Sequence, residues 1–157
     1  MTLQICAWIG LALWVGGLSL LMGVVTPVTF KALQKQEASR FLELLFPAAE
    51  RWALVWGGVT VGALLALFLN RHLQLRSLMI EAPVGLMFLL NLHLAVILHP
   101  QIQELKRKIN LPQYQGTSHQ QTMQSAFTRL HRRSVQLHLL LLTLGLFSLG
   151  LAPRFLR

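Results

Sequence analysis

Two histidines lie within apolar stretches of the sequence, His93 in "NLHLAVIL" and His138 in "VQLHLLLL". An ionisable side chain at membrane depth usually marks a functional site. If both stretches are membrane-spanning helices, His93 lies about six residues and His138 about four residues from the same membrane surface. Because a helix rises about 1.5 Å per residue, the depths of the two histidines agree within a few ångströms. Two imidazoles at one depth could ligate a haem iron axially, so His93 and His138 are candidate ligands of haem b.

A simpler interpretation assigns these histidines to hydrogen bonding. Asn91 and His93 are two residues apart, so on a helix they project about 200° from each other. If Asn91 faces the other helices, His93 faces lipid or another subunit, whereas His138 bonds a neighbouring helix. Cys6 is the only cysteine, and the apolar stretches contain no His-x-x-x-His or Met-x-x-x-Met run. This interpretation predicts no metal site and no cofactor.

The acidic residues do not predict an enzyme. Of the five, Glu50 stands near the end of an apolar stretch, where it can pair with Arg51 or a loop cation, and the others fit solvated faces or helix ends. Serine, histidine and carboxylate side chains are present, but the sequence contains no nucleophile motif and no glycine-rich phosphate loop. We therefore predict no catalytic residues.

The composition indicates a membrane protein. The chain has 157 residues, of which 54% are hydrophobic and 12% charged, whereas soluble domains have about 45–50% apolar and about 25% charged residues. Its net charge of +9 comes from cations that stand between long apolar runs. That placement is typical of loops flanking membrane spans rather than of a nucleic-acid-binding surface.

Four segments are long and apolar enough to cross a bilayer as helices, which takes about 20 residues each. They run from about 3 to 25, 47 to 69, 77 to 98 and 134 to 151, and Pro27, Pro100 and Pro153 stand just beyond three of their ends. A proline cannot continue the hydrogen-bond ladder, so we expect helices to stop there. The sequence thus predicts one all-α domain over residues 1–157, a four-helix transmembrane bundle.

The distribution of cations predicts the orientation of the bundle. Ten lysines and arginines lie on one side, either from the end of span one to Arg51 at the start of span two, or between spans three and four. Four lie on the other side, namely Arg71, Arg76, Arg154 and Arg157. Because cytoplasmic loops carry the excess of cations, both longer connections should be cytoplasmic and both termini should lie on the opposite side.

Neither long connection is expected to be unstructured throughout. "FKALQKQEASRFLELLF" has apolar residues at helical spacing among charges, which predicts an amphipathic interfacial helix between spans one and two. "PQIQELKRKIN" should prolong the third helix, and the fourth helix should start before its span, near Gln121. Between them, Pro112 and Gly116 predict a polar loop.

Small and polar residues predict where the helices pack, because small side chains let backbones approach closely. Gly58 and Gly62 form a small-xxx-small pair in the second span. The full set of predicted packing residues is Trp14, Gly17, Gly58, Gly62, Asn91 and Gly145.

Several residues with distinctive side chains should gather at the cytoplasmic end of the bundle. Prolines there end helices, aromatic rings suit the headgroup layer, and a histidine can titrate near neutral pH. The sequence therefore predicts a docking or small-ligand surface at this end, although the same residues could be only helix stops and membrane anchors. Its candidate residues are Phe30, His131, Ser134, Pro27 and Pro100.

Four stretches resemble a known family. "LALWVGGLSLLMGVVTPVTFKAL" with "ASRFLELLFP" resembles the opening of the transmembrane protein 205-like family, the domain of unknown function 4149. "NLHLAVILHPQIQELKRK" is similar to the end of that family's third span, and "FTRLHRRSVQLHLLLL" to the entry of its fourth. The resemblance implies a four-helix membrane fold without an assigned reaction. A more distant similarity to four-helix CopD-like copper-resistance and HemJ-like haem proteins implies haem or metal binding.

These observations support an accessory or structural subunit that packs against a larger membrane assembly. Its partners would be the lipid bilayer and a membrane protein or complex, not nucleic acid. A haem- or metal-binding membrane protein is the alternative, and a small-solute transporter ranks below both because no span is visibly broken at its middle. We expect a bacterial inner membrane or an internal, energy-transducing membrane.

Overall fold

The computed structural model describes residues 2–70, 75–111 and 118–151, without the side chains of residues 70, 75–80 and 118. These ranges contain α-helices and two five-residue π-helical turns, and no β-strand. The first π-turn is Leu21–Val25 and the second is Leu94–Leu98. The α-helices are α1 (Thr2–Leu20), α2 (Thr26–Ala32), α3 (Lys35–Asn70), α4 (Leu75–His93), α5 (His99–Ile109) and α6 (Ser118–Leu151).

Four continuous helices in the described residues are apolar enough to cross a membrane. They are Thr2–Ala32, Lys35–Leu69, Glu81–Ile109 and His119–Leu151, and the most apolar stretch of 18 residues in each has a mean hydropathy of 2.0, 2.0, 1.8 and 1.7. Their outer faces carry exposed apolar side chains such as Leu69, Leu89 and Val96, which lipid tails solvate as well as protein does. The predicted all-α, four-helix membrane architecture is confirmed.

The helices pass through two of the prolines that were expected to end them. The backbone N–H of Thr26 bonds to the Leu21 carbonyl, and that of His99 to the Leu94 carbonyl, so each π-turn lies directly before the residue that precedes a proline. Proline has no N–H to donate and its ring crowds the carbonyl four residues back. A wider π-turn removes that conflict without ending the helix. The prediction of helix ends at Pro27 and Pro100 is therefore wrong.

The predicted interfacial helix is not a separate element. Leu33 adopts an extended conformation, with φ −116° and ψ 155°, between α2 and α3. From Lys35 the chain continues as one helix through Pro47 into the second span. The amphipathic stretch is thus the first part of α3, with Ala38 and Leu42 buried and Phe41 exposed. We call the end of the bundle that holds Pro27, Pro47 and Pro100 the proline end.

The other connections follow the expected pattern where they are described. The third helix continues as α5 to Ile109, and α6 begins at Ser118, well before the apolar run. The predicted loop around Pro112 and Gly116 lies outside the described residues. So do Arg71, Arg154, Arg157 and the side chain of Arg76, on which the orientation depends.

Helix α1 supplies much of the buried core. Trp14 is fully buried and meets Phe88 of α4 edge-on, with ring centroids 6.4 Å apart. A Cβ built on Gly57 of α3 would lie 3.0 Å from the Phe88 ring and 3.1 Å from the Trp14 ring. A Cβ on Gly145 of α6 would lie 2.5 Å from Val15. Glycines on α3 and α6 therefore allow these two helices to approach α1 and α4 closely.

The structure differs from the packing prediction at two glycines. A Cβ built on Gly58 or Gly62 would meet nothing within 4 Å, so neither residue packs against another described helix. The adjacent Gly57 does so instead, because it shares the buried face of α3 with Ala53 and Thr60. The other predicted packing residues, Trp14, Gly17, Asn91 and Gly145, are buried or make close interhelical approaches.

Candidate functional site

Three helices place a carboxylate, an imidazole and a hydroxyl in contact at the proline end. The Nδ1 atom of His99 contacts the Oε1 atom of Glu50, and the contact is an ion pair when the ring is protonated. The Nε2 atom of the same ring lies 3.3 Å from the Ser134 hydroxyl oxygen, within hydrogen-bond distance. Glu50, His99 and Ser134 belong to α3, α5 and α6, so this polar chain connects three elements.

A second imidazole completes the cluster. The Nδ1 atom of His138 lies 2.8 Å from the Ser134 backbone carbonyl oxygen. Because a carbonyl oxygen can only accept, this Nδ1 carries the hydrogen. The His138 ring stacks on His99, with centroids 5.9 Å apart and planes inclined by 24°, and Phe46 meets it edge-on at 6.4 Å. His138 therefore bonds its own helix and reaches the neighbouring helices through ring contacts.

The cluster is buried but not sealed. Ser134 and His138 are 6% and 5% exposed. The side chains of Glu50 and His99 are 9% and 17% exposed. Burying an ionised carboxylate is costly unless a cation or hydrogen bonds compensate it. His99, the most accessible member, provides that compensation for Glu50.

Local backbone structure explains how these residues meet. Glu50 lies almost one turn after Pro47 in α3, and Ser134 and His138 are four residues apart on one face of α6. His99 directly follows the second π-turn. A π-turn adds a residue to the helix, which rotates the following side chains by about 100° relative to an uninterrupted α-helix. The π-turn before Pro100 therefore sets the direction of the His99 ring.

The order of groups resembles the carboxylate–imidazole–hydroxyl chain of serine hydrolases, but the backbone differs at a decisive point. Ser134 lies inside α6, which runs without a break from Ser118 to Leu151, so the neighbouring N–H groups are engaged in the helix. An oxyanion hole needs free donors, and one such donor contributes about 10²–10³ in rate. Within α6, Ser134 therefore lacks the adjacent free backbone donors that form an oxyanion hole.

The described residues do not form a recognisable metal centre. No group of three or more histidine, cysteine, aspartate or glutamate side chains in the described part of the chain is placed to hold a metal ion. His93 is exposed on the outside of α4, whereas His138 lies inside the bundle against His99. The structure therefore does not bring together the two histidines considered as haem ligands.

The predicted docking residues divide between the surface and the interior. Phe30 is 50% exposed, and Pro27, Pro100 and His131 are also exposed. The His131 ring stacks almost parallel on Phe127, with centroids 5.9 Å apart. Ser134, by contrast, is buried in the polar cluster.

Sequence reasoning missed the two residues that connect most of the site. The sequence predicts that Glu50 can pair with Arg51 or a loop cation, but Glu50 is buried against His99, and Arg51 bonds the Pro47 carbonyl instead. His99 is not among the site residues that the sequence predicts. The available signal was that an acid and a histidine stood at the same end of their spans, where they could neutralise each other.

Beyond the cluster, charged pairs hold the extensions of the helices. Lys106 of α5 pairs with Glu43 of α3, and Glu104 accepts from Arg107 and lies within ion-pair distance of Lys108. The hydrogen bond from Arg107, with a further contribution from Lys108, lowers the pKa of the Glu104 carboxyl. Because these side chains are exposed, such pairs add little stability. The Lys106–Glu43 pair joins α5 to α3, whereas the Glu104 pairs lie within α5.

Fold and site together define a four-helix integral membrane protein with a buried polar cluster at one end. The chain belongs to the family of the domain of unknown function DUF4149, whose model matches residues 9–110. That range includes Glu50 and His99 but ends before Ser134 and His138. Neither a curated protein nor a solved structure is significantly similar to the chain. The more distant similarity to CopD-like and HemJ-like proteins is not confirmed.

Proposed function

We propose that the chain is an accessory or structural subunit that packs against a larger membrane assembly. The main support is a strip of small residues on the outer face of α3. Gly58 and Gly62 lie about one turn apart, and no described atom of another helix lies within 4 Å of a Cβ built on either. Small residues let a second transmembrane helix approach closely. The strip is therefore suited to a helix of another membrane protein.

The position of His93 adds independent support. Its side chain is exposed on α4, within the stretch predicted to cross the membrane. Lipid tails offer an imidazole no hydrogen-bond partner, and polar residues in spans usually face protein or water. A neighbouring subunit would supply that partner. In this proposal the chain itself needs no cofactor and performs no reaction.

The same proposal includes an orientation and a location. The cation-rich proline end faces the cytoplasm, and both termini lie on the other side, as expected from the excess of lysine and arginine in the two long connections. The membrane would be a bacterial inner membrane or an internal, energy-transducing one. A partner would then meet α3 and α4 within the bilayer, and Phe30 and His131 would be available to it on the cytoplasmic side.

The experiment is crosslinking from defined positions in native membranes. A photoreactive amino acid replaces Gly58 or Gly62 in the full chain, and Gly150 serves as the matched control because a Cβ there also meets nothing within 4 Å. We expect one discrete adduct with another membrane protein from positions 58 and 62, and none from position 150. Adducts only with lipid, or only with copies of this chain, would contradict an accessory role.

A further inference from the structure

The hydroxyl of Ser134 behaves differently from other hydroxyls in the bundle. At least nine described serines and threonines donate to a carbonyl of their own helix, including Ser148 and Thr143 of α6. Ser134 instead faces the Nε2 atom of His99 on another helix. A hydroxyl can both donate and accept. Ser134 can therefore bond the His99 ring in either protonation state of that ring.

The charge of the Glu50–His99 pair depends on a single proton. With neutral His99, whose Nδ1–H points to the carboxylate, the pair carries a net charge of −1. One added proton makes it neutral, either as carboxylate and imidazolium or as carboxylic acid and imidazole. Both side chains are largely buried, and an uncompensated charge in such a place is strongly unfavourable. The proton belongs to the pair rather than to either residue alone.

We propose that Glu50 and His99 form a binding site for one proton, taken up from the aqueous phase at the proline end. His99 is the entry point because its side chain is the more exposed of the two. When the proton is bound, Nε2 donates to the Ser134 hydroxyl. When it leaves, the hydroxyl turns and donates to Nε2. Occupancy of the site on α3 and α5 is thereby transmitted to α6.

The surroundings contain few other groups that could hold the proton. On α6, His138 faces His99, and its Nδ1 hydrogen is fixed by the Ser134 carbonyl. On α3, Arg51 is exposed and bonds the Pro47 carbonyl. Helix α1 and the first π-turn contain only one titratable side chain, the exposed Cys6. A second cation on His138 would be repelled by imidazolium at His99, so the added proton resides on the Glu50–His99 pair.

The test is ¹⁵N NMR of the full chain in lipid nanodiscs, with histidine ring nitrogens labelled and the His99 signals assigned from a His99→Gln variant. At neutral pH the Nε2 atom of the wild-type His99 ring should be protonated, while the second proton of the pair lies between Nδ1 and the Glu50 carboxylate. Glu50→Gln should convert Nε2 to an unprotonated nitrogen at the same pH. Ser134→Ala should preserve both protons but speed exchange of the Nε2 proton with water, because its acceptor is lost.

The matched control is Glu43→Gln, which removes an exposed, paired carboxylate of the same helix and should leave the His99 spectrum unchanged. A protonated Nε2 that persists in Glu50→Gln would overturn the proposal, as would an unprotonated Nε2 in the wild type at neutral pH. The wild-type spectrum alone decides the matter if Glu50→Gln does not fold. None of these outcomes depends on whether the chain binds a partner.

Discussion

Gly145 allows the closest helix approach in the core, and replacing it with alanine should lower the free energy of unfolding. The new methyl carbon would lie 2.5 Å from Cγ2 of Val15 and 3.1 Å from Cε of Met87. Met87 can move its flexible end, but Val15 is buried and β-branched, so it has little rotamer freedom on α1. Overpacking of this kind costs about 1–3 kcal/mol.

Gly150→Ala on the same helix separates this clash from the general effect of removing a glycine. A Cβ at position 150 meets nothing within 4 Å, and replacing a helical glycine with alanine contributes up to about 1 kcal/mol in both variants. Gly145→Ala should therefore be about 1–3 kcal/mol less stable than Gly150→Ala. Reversible unfolding in mixed detergent and SDS, followed by tryptophan fluorescence, measures the difference. Equal stability of the two variants would refute the close approach of α1 and α6.

Four further predictions concern topology, cofactor, core and surface. Reporter domains fused after Arg157 should be extracytoplasmic and those at Gln115 cytoplasmic, and a cytoplasmic C-terminus would reverse the proposed orientation. Protein purified in mild detergent should show no stoichiometric Soret band in its absorption spectrum, whereas a strong band would favour the haem alternative. Asn91→Leu should stabilise the bundle by about 1–3 kcal/mol in the same unfolding assay, because both amide atoms of this buried residue lack a partner in the described structure. Phe30→Ala and His131→Ala should change folded stability by less than about 0.5 kcal/mol yet weaken partner retention in native gels, and a loss that tracks unfolding would remove them from the docking surface.

Composition and spacing were sufficient for the architecture. A bilayer requires about 20 apolar residues per helix, and this requirement can be evaluated locally along the chain. The interior positions of Trp14 and Gly145 were also accessible from sequence, because each stands on a stripe that a helix would present to its neighbours. The sequence did not reveal that the helices continue through Pro27 and Pro100. A proline is compatible both with a helix end and with a π-turn that continues the helix.

The tertiary structure alone decided which neighbouring residues met. Gly58 and Gly62 have the spacing of a packing motif, but the adjacent Gly57 makes the close helix contact instead. The spacing of two small residues identifies a helix face, but it does not say which helix lies opposite that face. The contact between Glu50 and His99 likewise joins residues 49 positions apart. Their meeting depends on the relative rotation of α3 and α5, which the second π-turn and the packing against α6 set together. Local sequence determines helices and their apolar lengths, but relative rotation is a property of several packed helices at once, and the polar cluster depends on it.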